Sequence, residues 1–301
     1  FVCPFKKVTI QKNAIINTIN CNNQSNILAI GGDNGFLKVV QIDLSKQKKN
    51  PDGTNASPLT FSQSLTAHKN IVKIVTWNDQ YDKLTTCDED GVIVVWKLSE
   101  KDIWETEMIN NREVSLVTDL KWSAMGNFLC FVYEDGHAIV GTVEGSRSWG
   151  NDVMPDLYKV EWSPDESFIL FCIRNHNIII FSCSGYQIGE MELPGHLRSQ
   201  ELAEITWWTN PLIENKTITD DRHLALVYKN GTILLFNDHQ DLKPVEIKTN
   251  FVDVLKALWS PNGDILALAG TISEEGQKKE SVNFYSHSGK FLQDTKLPNK
   301  I

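Results

Sequence analysis

A histidine, a hydroxyl, a carboxylate and an indole stand close together at His68, Thr86, Asp90 and Trp96. These are the groups from which a hydroxyl nucleophile with a general base is assembled. Such a nucleophile needs presentation on an exposed, strained turn, and the chain contains no Gly-x-Ser-x-Gly elbow, no phosphate-cradling glycine loop and no paired-histidine metal motif. Asp33-Asn34-Gly35 and Asp88-Glu89-Asp90-Gly91 resemble pieces of a calcium loop. The later Glu at the required spacing is absent, so both are read as hairpin turns.

The six cysteines (Cys3, Cys21, Cys87, Cys130, Cys172 and Cys183) lack the spacing of a zinc site. Cys87, Cys130 and Cys172 fall at similar places in apolar runs and read as buried thiols of a reducing compartment. No catalytic residue, no cofactor-binding residue and no metal ligand is expected, and the chain reads as non-enzymatic. The segment Glu144-Gly145-Ser146-Arg147-Ser148-Trp149-Gly150 offers a different chemistry. It sets Arg147 and Trp149, residue types enriched where proteins bind one another, in what reads as a Gly/Ser loop.

Charge narrows the partners. A formal net charge of −9 disfavours attraction to nucleic acid or anionic lipid, which depends on clustered Lys and Arg, and points weakly to partners with basic patches. No apolar run has the length of a membrane span, and no signal segment is visible. The chain starts at Phe1 rather than Met and reads as a fragment of a longer polypeptide.

The elements that must position these residues announce themselves as a repeat. Val75-Thr76-Trp77-Asn78, Leu120-Lys121-Trp122-Ser123, Val160-Glu161-Trp162-Ser163, Ile205-Thr206-Trp207 and Leu258-Trp259-Ser260 recur with a period of roughly 40 to 50 residues. Each is followed by an apolar run, then a turn such as Asp90-Gly91, Asp135-Gly136 or Asn230-Gly231, then a third apolar run. Asn175-His176-Asn177 replaces the glycine turn in the fourth unit. An earlier unit, Ile27 to Val40 through Asp33-Asn34-Gly35, lacks the Trp.

Short, β-branched, almost continuously apolar strands imply sheets covered on both faces. The pattern is that of a WD-repeat β-propeller, an all-β fold filling residues 1–301 as a single domain. Six full repeats are counted, and Lys7-Val8-Thr9-Ile10 is read as an N-terminal closing strand. The propeller is therefore expected to be seven-bladed, with the seventh blade incomplete. Asp43 to Ser64, Thr209 to Asp221 and Thr271 to Glu280 are expected to be loops. The five repeat tryptophans are expected inside. In WD repeats a set like His68, Thr86, Asp90 and Trp96 forms a structural hydrogen-bond tetrad. The resemblance implies that role here, with only Asp135 and Gly195-His196 surviving from it in other blades.

Some runs are not required by the fold. Glu107-Met108-Ile109-Asn110-Asn111-Arg112, Val132-Tyr133-Glu134-Asp135-Gly136 and Val140 through Gly150 closely resemble the first propeller of the WD-repeat protein 35 family, a subunit of intraflagellar transport complex A. The likeness spans essentially the whole chain. It implies a protein-interaction scaffold in the cytoplasm, the cilium and the ciliary base, serving retrograde transport, cilium assembly and ciliary entry of membrane proteins. The implied partners are other complex A subunits and ciliary membrane cargo, with peripheral membrane contact as part of the complex. A tubby-related protein with WD repeats, a substrate receptor of a ubiquitin ligase, looks similar in this region, as do vesicle-coat propellers more distantly.

Overall fold

The computed structural model describes residues 15–22, 24–42, 59–208, 224–237, 240–241, 243–260, 262–274 and 276–296. They form six four-stranded antiparallel sheets, each built from four strands consecutive in sequence. Blade 1 holds β1 (Ile16–Asn22), β2 (Ile27–Gly32), β3 (Leu37–Ile42) and β4 (Leu59–Ser64). Blade 2 holds β5 (Val72–Asn78), β6 (Lys83–Asp88), β7 (Ile93–Leu98) and β8 (Trp104–Asn110). Blade 3 holds β9 (Val117–Trp122), β10 (Phe128–Tyr133), β11 (His137–Thr142) and β12 (Arg147–Asp152).

Blade 4 holds β13 (Leu157–Trp162), β14 (Phe168–Ile173), β15 (Ile178–Ser182) and β16 (Gln187–Met191). Blade 5 holds β17 (Leu202–Trp207), β18 (Leu224–Tyr228), β19 (Thr232–Phe236) and β20 (Val245–Lys248). Blade 6 holds β21 (Phe251–Trp259), β22 (Ile265–Glu274), β23 (Gln277–Ser286) and β24 (Phe291–Lys296). The described residues before Lys159 make one compact unit and those from Lys159 onward a second.

The expectation of seven blades is overturned: the propeller has six. The first sheet starts with its own strand, β1, which lacks the Trp that marks the others, and the last ends with its own fourth strand, β24. No half-blade is left at either end of the described residues. Lys7 to Ile10, read as a closing strand, lies outside them, as do residues 43–58 and 209–223. The Thr271 to Glu280 stretch is not a loop. It is the tip of the β22–β23 hairpin, paired continuously from Ile265↔Ser286 to Glu274↔Gln277, with Lys279 Nζ 2.9 Å from Glu274 Oε2. Thr271 and Ile272 also pair with β21, and Ile272 is buried in the blade core, whereas the tip beyond them rests on cross-strand pairs between β22 and β23, which polar residues can supply.

Blades pack through apolar faces. Ala29, Leu37 and Val39 of blade 1 meet Val75, Trp77 and Leu84 of blade 2, and Cys87 and Ile93 of blade 2 join Leu120, Leu129 and Phe131 of blade 3. In the second unit, Ala225, Val227 and Leu235 of blade 5 cluster with Val254, Ala257 and Leu268 of blade 6. Trp77, Trp162 and Trp207 are buried, while Trp122 and Trp259 are only partly so.

The repeat tryptophans also reach backwards. The indole N–H of Trp77 donates to the Asn20 carbonyl at 3.1 Å, that of Trp122 to Thr85 Oγ1 at 3.0 Å, and that of Trp259 to the Thr206 carbonyl at 3.4 Å. Each bond ties a blade to the one before it. Trp207 instead sets its ring edge-on to Phe168, with centroids 6.2 Å apart.

The residue after the tryptophan caps the following turn. Ser123, Ser163 and Ser260 Oγ each accept the amide of the first residue of the next strand at 3.0 Å, and Asn78 Oδ1 accepts two turn amides at 3.2 Å. Side chains of this type satisfy turn amides locally, which is why Ser or Asn follows Trp. In the fourth unit Asn175 takes the left-handed conformation (φ 58°) that glycine supplies elsewhere, so the turn survives.

Candidate protein-docking surface

Blade 2 brings His68, Thr86 and Trp96 together, and the acid that completes the set is Asp88. His68 Nδ1 lies 2.9 Å from Asp88 Oδ2 and His68 Nε2 lies 2.7 Å from Thr86 Oγ1. Trp96 Nε1 donates to Thr86 Oγ1 at 2.9 Å. A neutral imidazole protonated on Nδ1 satisfies every member: Trp96 donates to Thr86, Thr86 to Nε2, and Nδ1 to the carboxylate. The other Asp88 oxygen accepts the amides of Asp90 at 3.2 Å and Val92 at 3.0 Å, which fixes the β6–β7 turn.

Asp90, the acid expected from sequence, is exposed at the tip of that turn and accepts a bond from Asn70 instead. Asp88 ends the strand with its side chain inward, whereas the chain has already turned by Asp90. With Thr86 0% exposed and His68 8% exposed, the hydroxyl has no path to a substrate and is already bonded to both His68 and Trp96. The set is a buried polar strut, fully paired, joining the segment before β5 to β6 and β7.

Arg147 and Trp149 lie on β12, the fourth strand of blade 3, and not in a loop. The turn suggested by the Gly/Ser composition closes at Gly145, and the strand pairs as Gly141↔Arg147 and Val140↔Trp149 across a bulge. Arg147 is exposed and its guanidinium lies over Gly150, where a Cβ would collide with it. Trp149 is half-buried. His196 is exposed and faces Glu246, with 3.2 Å to both carboxylate oxygens.

Cys87, Cys130 and Cys172 are buried thiols that form no disulfide. Burial, aided by Asp88, pushes the Cys87 thiol up to about 12, and burial beside Asp119 pushes Cys130 well above the ordinary range. Both are held as unreactive thiols. Among the described residues no group of His, Cys, Asp and Glu could hold a metal ion, and no helix is long and apolar enough to cross a membrane.

Two runs that the fold does not require meet in space. Arg112, just after β8, directs Nη1 at both oxygens of Asp135, 3.0 and 2.7 Å away, and its guanidinium carbon sits 4.9 Å from the centroid of the Tyr133 ring. Burial opposes ionisation of Asp135, but the His137 amide and Arg112 outweigh it and hold the carboxyl below its ordinary value. Nothing in the sequence alone joins the two runs. The signal was a cation and an anion each flanking a hairpin end.

Comparison with known proteins places the chain as a whole in a family. The family described as WDR35/TULP4 N-terminal β-propeller matches residues 1–301. WD repeat-containing protein 35 of Rattus norvegicus and of Homo sapiens are each 36% identical over 302 residues. These alignments cover 98% of this chain but 26% and 25% of those proteins, so the chain spans about a quarter of the length of these relatives. Tubby-related protein 4 of Mus musculus is 29% identical over 255 residues, covering 76% of this chain and 16% of that protein. A chain in the crystal structure of the mitotic checkpoint complex superposes with a TM-score of 0.66 at 15% identity, covering 87% of this chain and 73% of that one, a likeness of fold alone. The chain belongs to the WDR35/TULP4 N-terminal β-propeller family.

Proposed function

We propose that this chain is a protein-interaction scaffold without chemistry of its own, the N-terminal propeller of an intraflagellar transport complex A subunit. The carrying observation is the 36% identity to WD repeat-containing protein 35 over 98% of the chain, against 29% over 76% for tubby-related protein 4. In this reading the propeller docks sister subunits and ciliary membrane cargo. It serves retrograde transport, cilium assembly and membrane-protein entry from the cytoplasm, the ciliary base and the cilium. The buried strut of blade 2 keeps its loops in place, and Arg147 and Trp149 on β12 belong to the surface available to partners. Nucleic acid is not a partner of so acidic a chain.

The test is affinity purification of the full-length protein with and without residues 1–301, followed by identification of what co-purifies. Complex A subunits recovered with the intact protein and lost on deletion support direct docking. Recovery of no transport subunit by the intact protein would overturn the reading.

A further inference from the structure

The loop from Asn111 to Leu116, between β8 of blade 2 and β9 of blade 3, displays aliphatic side chains while four hydrogen bonds hold it in place. Val114 is 78% exposed and Leu116 is 47% exposed. The Val114 amide donates to the Arg112 carbonyl at 2.7 Å and the Glu113 amide to Asn111 Oδ1 at 2.9 Å, with Glu113 in the left-handed region at φ 59°. From blade 3, the Glu134 amide donates to the Leu116 carbonyl and the Asp135 amide to Ser115 Oγ, both at 3.0 Å. On the blade 2 side the loop lies against the β6–β7 turn, where a Cβ on Gly91 would sit 3.8 Å from the Leu116 Cα.

A loop held this firmly loses little freedom when a partner closes on it. Its neighbours set the partner's charge. The turns on either side carry Glu89, Asp90 and Glu134, and the loop adds Glu113. The one guanidinium here, Arg112, is already matched by Asp135. Glu113 and Glu134 have no cationic partner among the described residues. Aliphatic side chains on a rigid loop between uncompensated carboxylates complement an aliphatic anchor flanked by Lys or Arg, and the same carboxylates repel an anionic membrane.

The geometry points to the Asn111–Leu116 loop as the docking site for a short basic segment of a partner protein that carries an aliphatic anchor, the anchor meeting Val114 and Leu116 and its cations meeting Glu89, Asp90, Glu113 and Glu134. This rests on the scaffold reading above and assigns that scaffold a contact point.

The test uses the purified full-length protein and three labelled synthetic peptides. One carries Leu-Ile flanked by Lys and Arg, one has Ser-Ser in place of Leu-Ile, and one has Glu in place of the basic residues. The first peptide binds, more weakly as salt rises, and the other two bind far less. Val114→Ser lowers affinity about tenfold, as expected for loss of one buried aliphatic contact. Glu113→Gln with Glu134→Gln lowers it roughly threefold, the scale of exposed charge pairs. Tyr186→Ser, an exposed position in blade 4, changes nothing, and unchanged thermal melting of each variant shows that the fold is kept. No binding of the first peptide, equal binding of the Ser-Ser peptide, or indifference to Val114→Ser overturns the assignment. Co-purification with transport subunits of the wild type and of a variant combining Val114→Ser, Glu113→Gln and Glu134→Gln separates the two ideas. Subunits retained by both proteins alongside a negative peptide result remove only this surface, whereas subunits absent from the wild type remove the scaffold reading itself.

Discussion

Blades 2 and 5 solve one packing problem with opposite chemistry. Counting back from the turn glycines Gly91 and Gly231, Thr86 and Asp88 of blade 2 correspond to Leu226 and Tyr228 of blade 5, and counting forward, Trp96 corresponds to Phe236. All three blade 5 residues are buried, and His196, without an inward acceptor, faces Glu246 in solvent. The polar strut of blade 2 is therefore not required for a blade to form. It fixes a turn and an entering segment, whereas apolar contact supplies stability wherever neighbouring faces are complementary.

Substitutions can break this contrast. Leu226→Ala, at a fully buried position, should destabilise the protein by about 3 kcal/mol through lost transfer energy and a cavity, as read by denaturant unfolding. Asp88→Ala leaves His68 and the amides of Asp90 and Val92 without their acceptor and should cost about 2 kcal/mol, with a change in hydrogen exchange confined to the β6–β7 turn. A loss as large as that of Leu226→Ala would mean that the strut carries stability after all. Trp122→Phe removes one indole bond to Thr85 while keeping most of the ring, and should cost about 1 kcal/mol by the same measurement.

Smaller still is the acid response. Burial pushes Asp165 the other way, but hydrogen bonds from Ser163 and Ser167 prevail and hold its carboxyl below the ordinary value. A carboxyl lowered in the folded state adds stability above its unfolded value, near about 3.9, and gives it up as pH falls through the lower folded value. Unfolding midpoints should thus hold steady above pH of about 5 and decline below about 4, with a slightly gentler decline in Asp165→Asn. Asp90→Ala should lie within about 0.5 kcal/mol of wild type, because its side chain is exposed. A cost equal to that of Asp88→Ala would restore Asp90 as the acid of the strut.

Legible and illegible features of this chain divide along physical lines. Trp77 through Trp259 and the Asp-Gly and Asn-Gly turns were legible because each meets a local steric or volume demand. The strut was legible in kind but not in register: Asp88 and Asp90 flank one turn, and only the place where β6 stops makes one inward and the other outward. β12 was misread because Gly145 and Ser146 suggest a loop, although a tight turn needs few residues and pairing with β11 resumes at once. The blade count failed at the ends: six units are legible in the sequence and Lys7 to Ile10 reads as a strand closing a seventh, whereas the six sheets are completed by their own outer strands β1 and β24. Only Asn111 and Arg112 of the Asn111–Leu116 loop fall in a run that stands out in sequence, and the rest is not legible there, since the loop is held by amides of a turn some twenty residues away.

The backward tryptophan bonds bear on how such a chain ages in evolution. Two of the three acceptors, on Asn20 and Thr206, are main-chain carbonyls, which every residue type provides. Those ties outlast substitution of the residue that offers them, so repeats can diverge in side chains while the order of neighbours is kept. The bond from Trp122 ends on a side-chain hydroxyl, and drift at Thr85 would sever it.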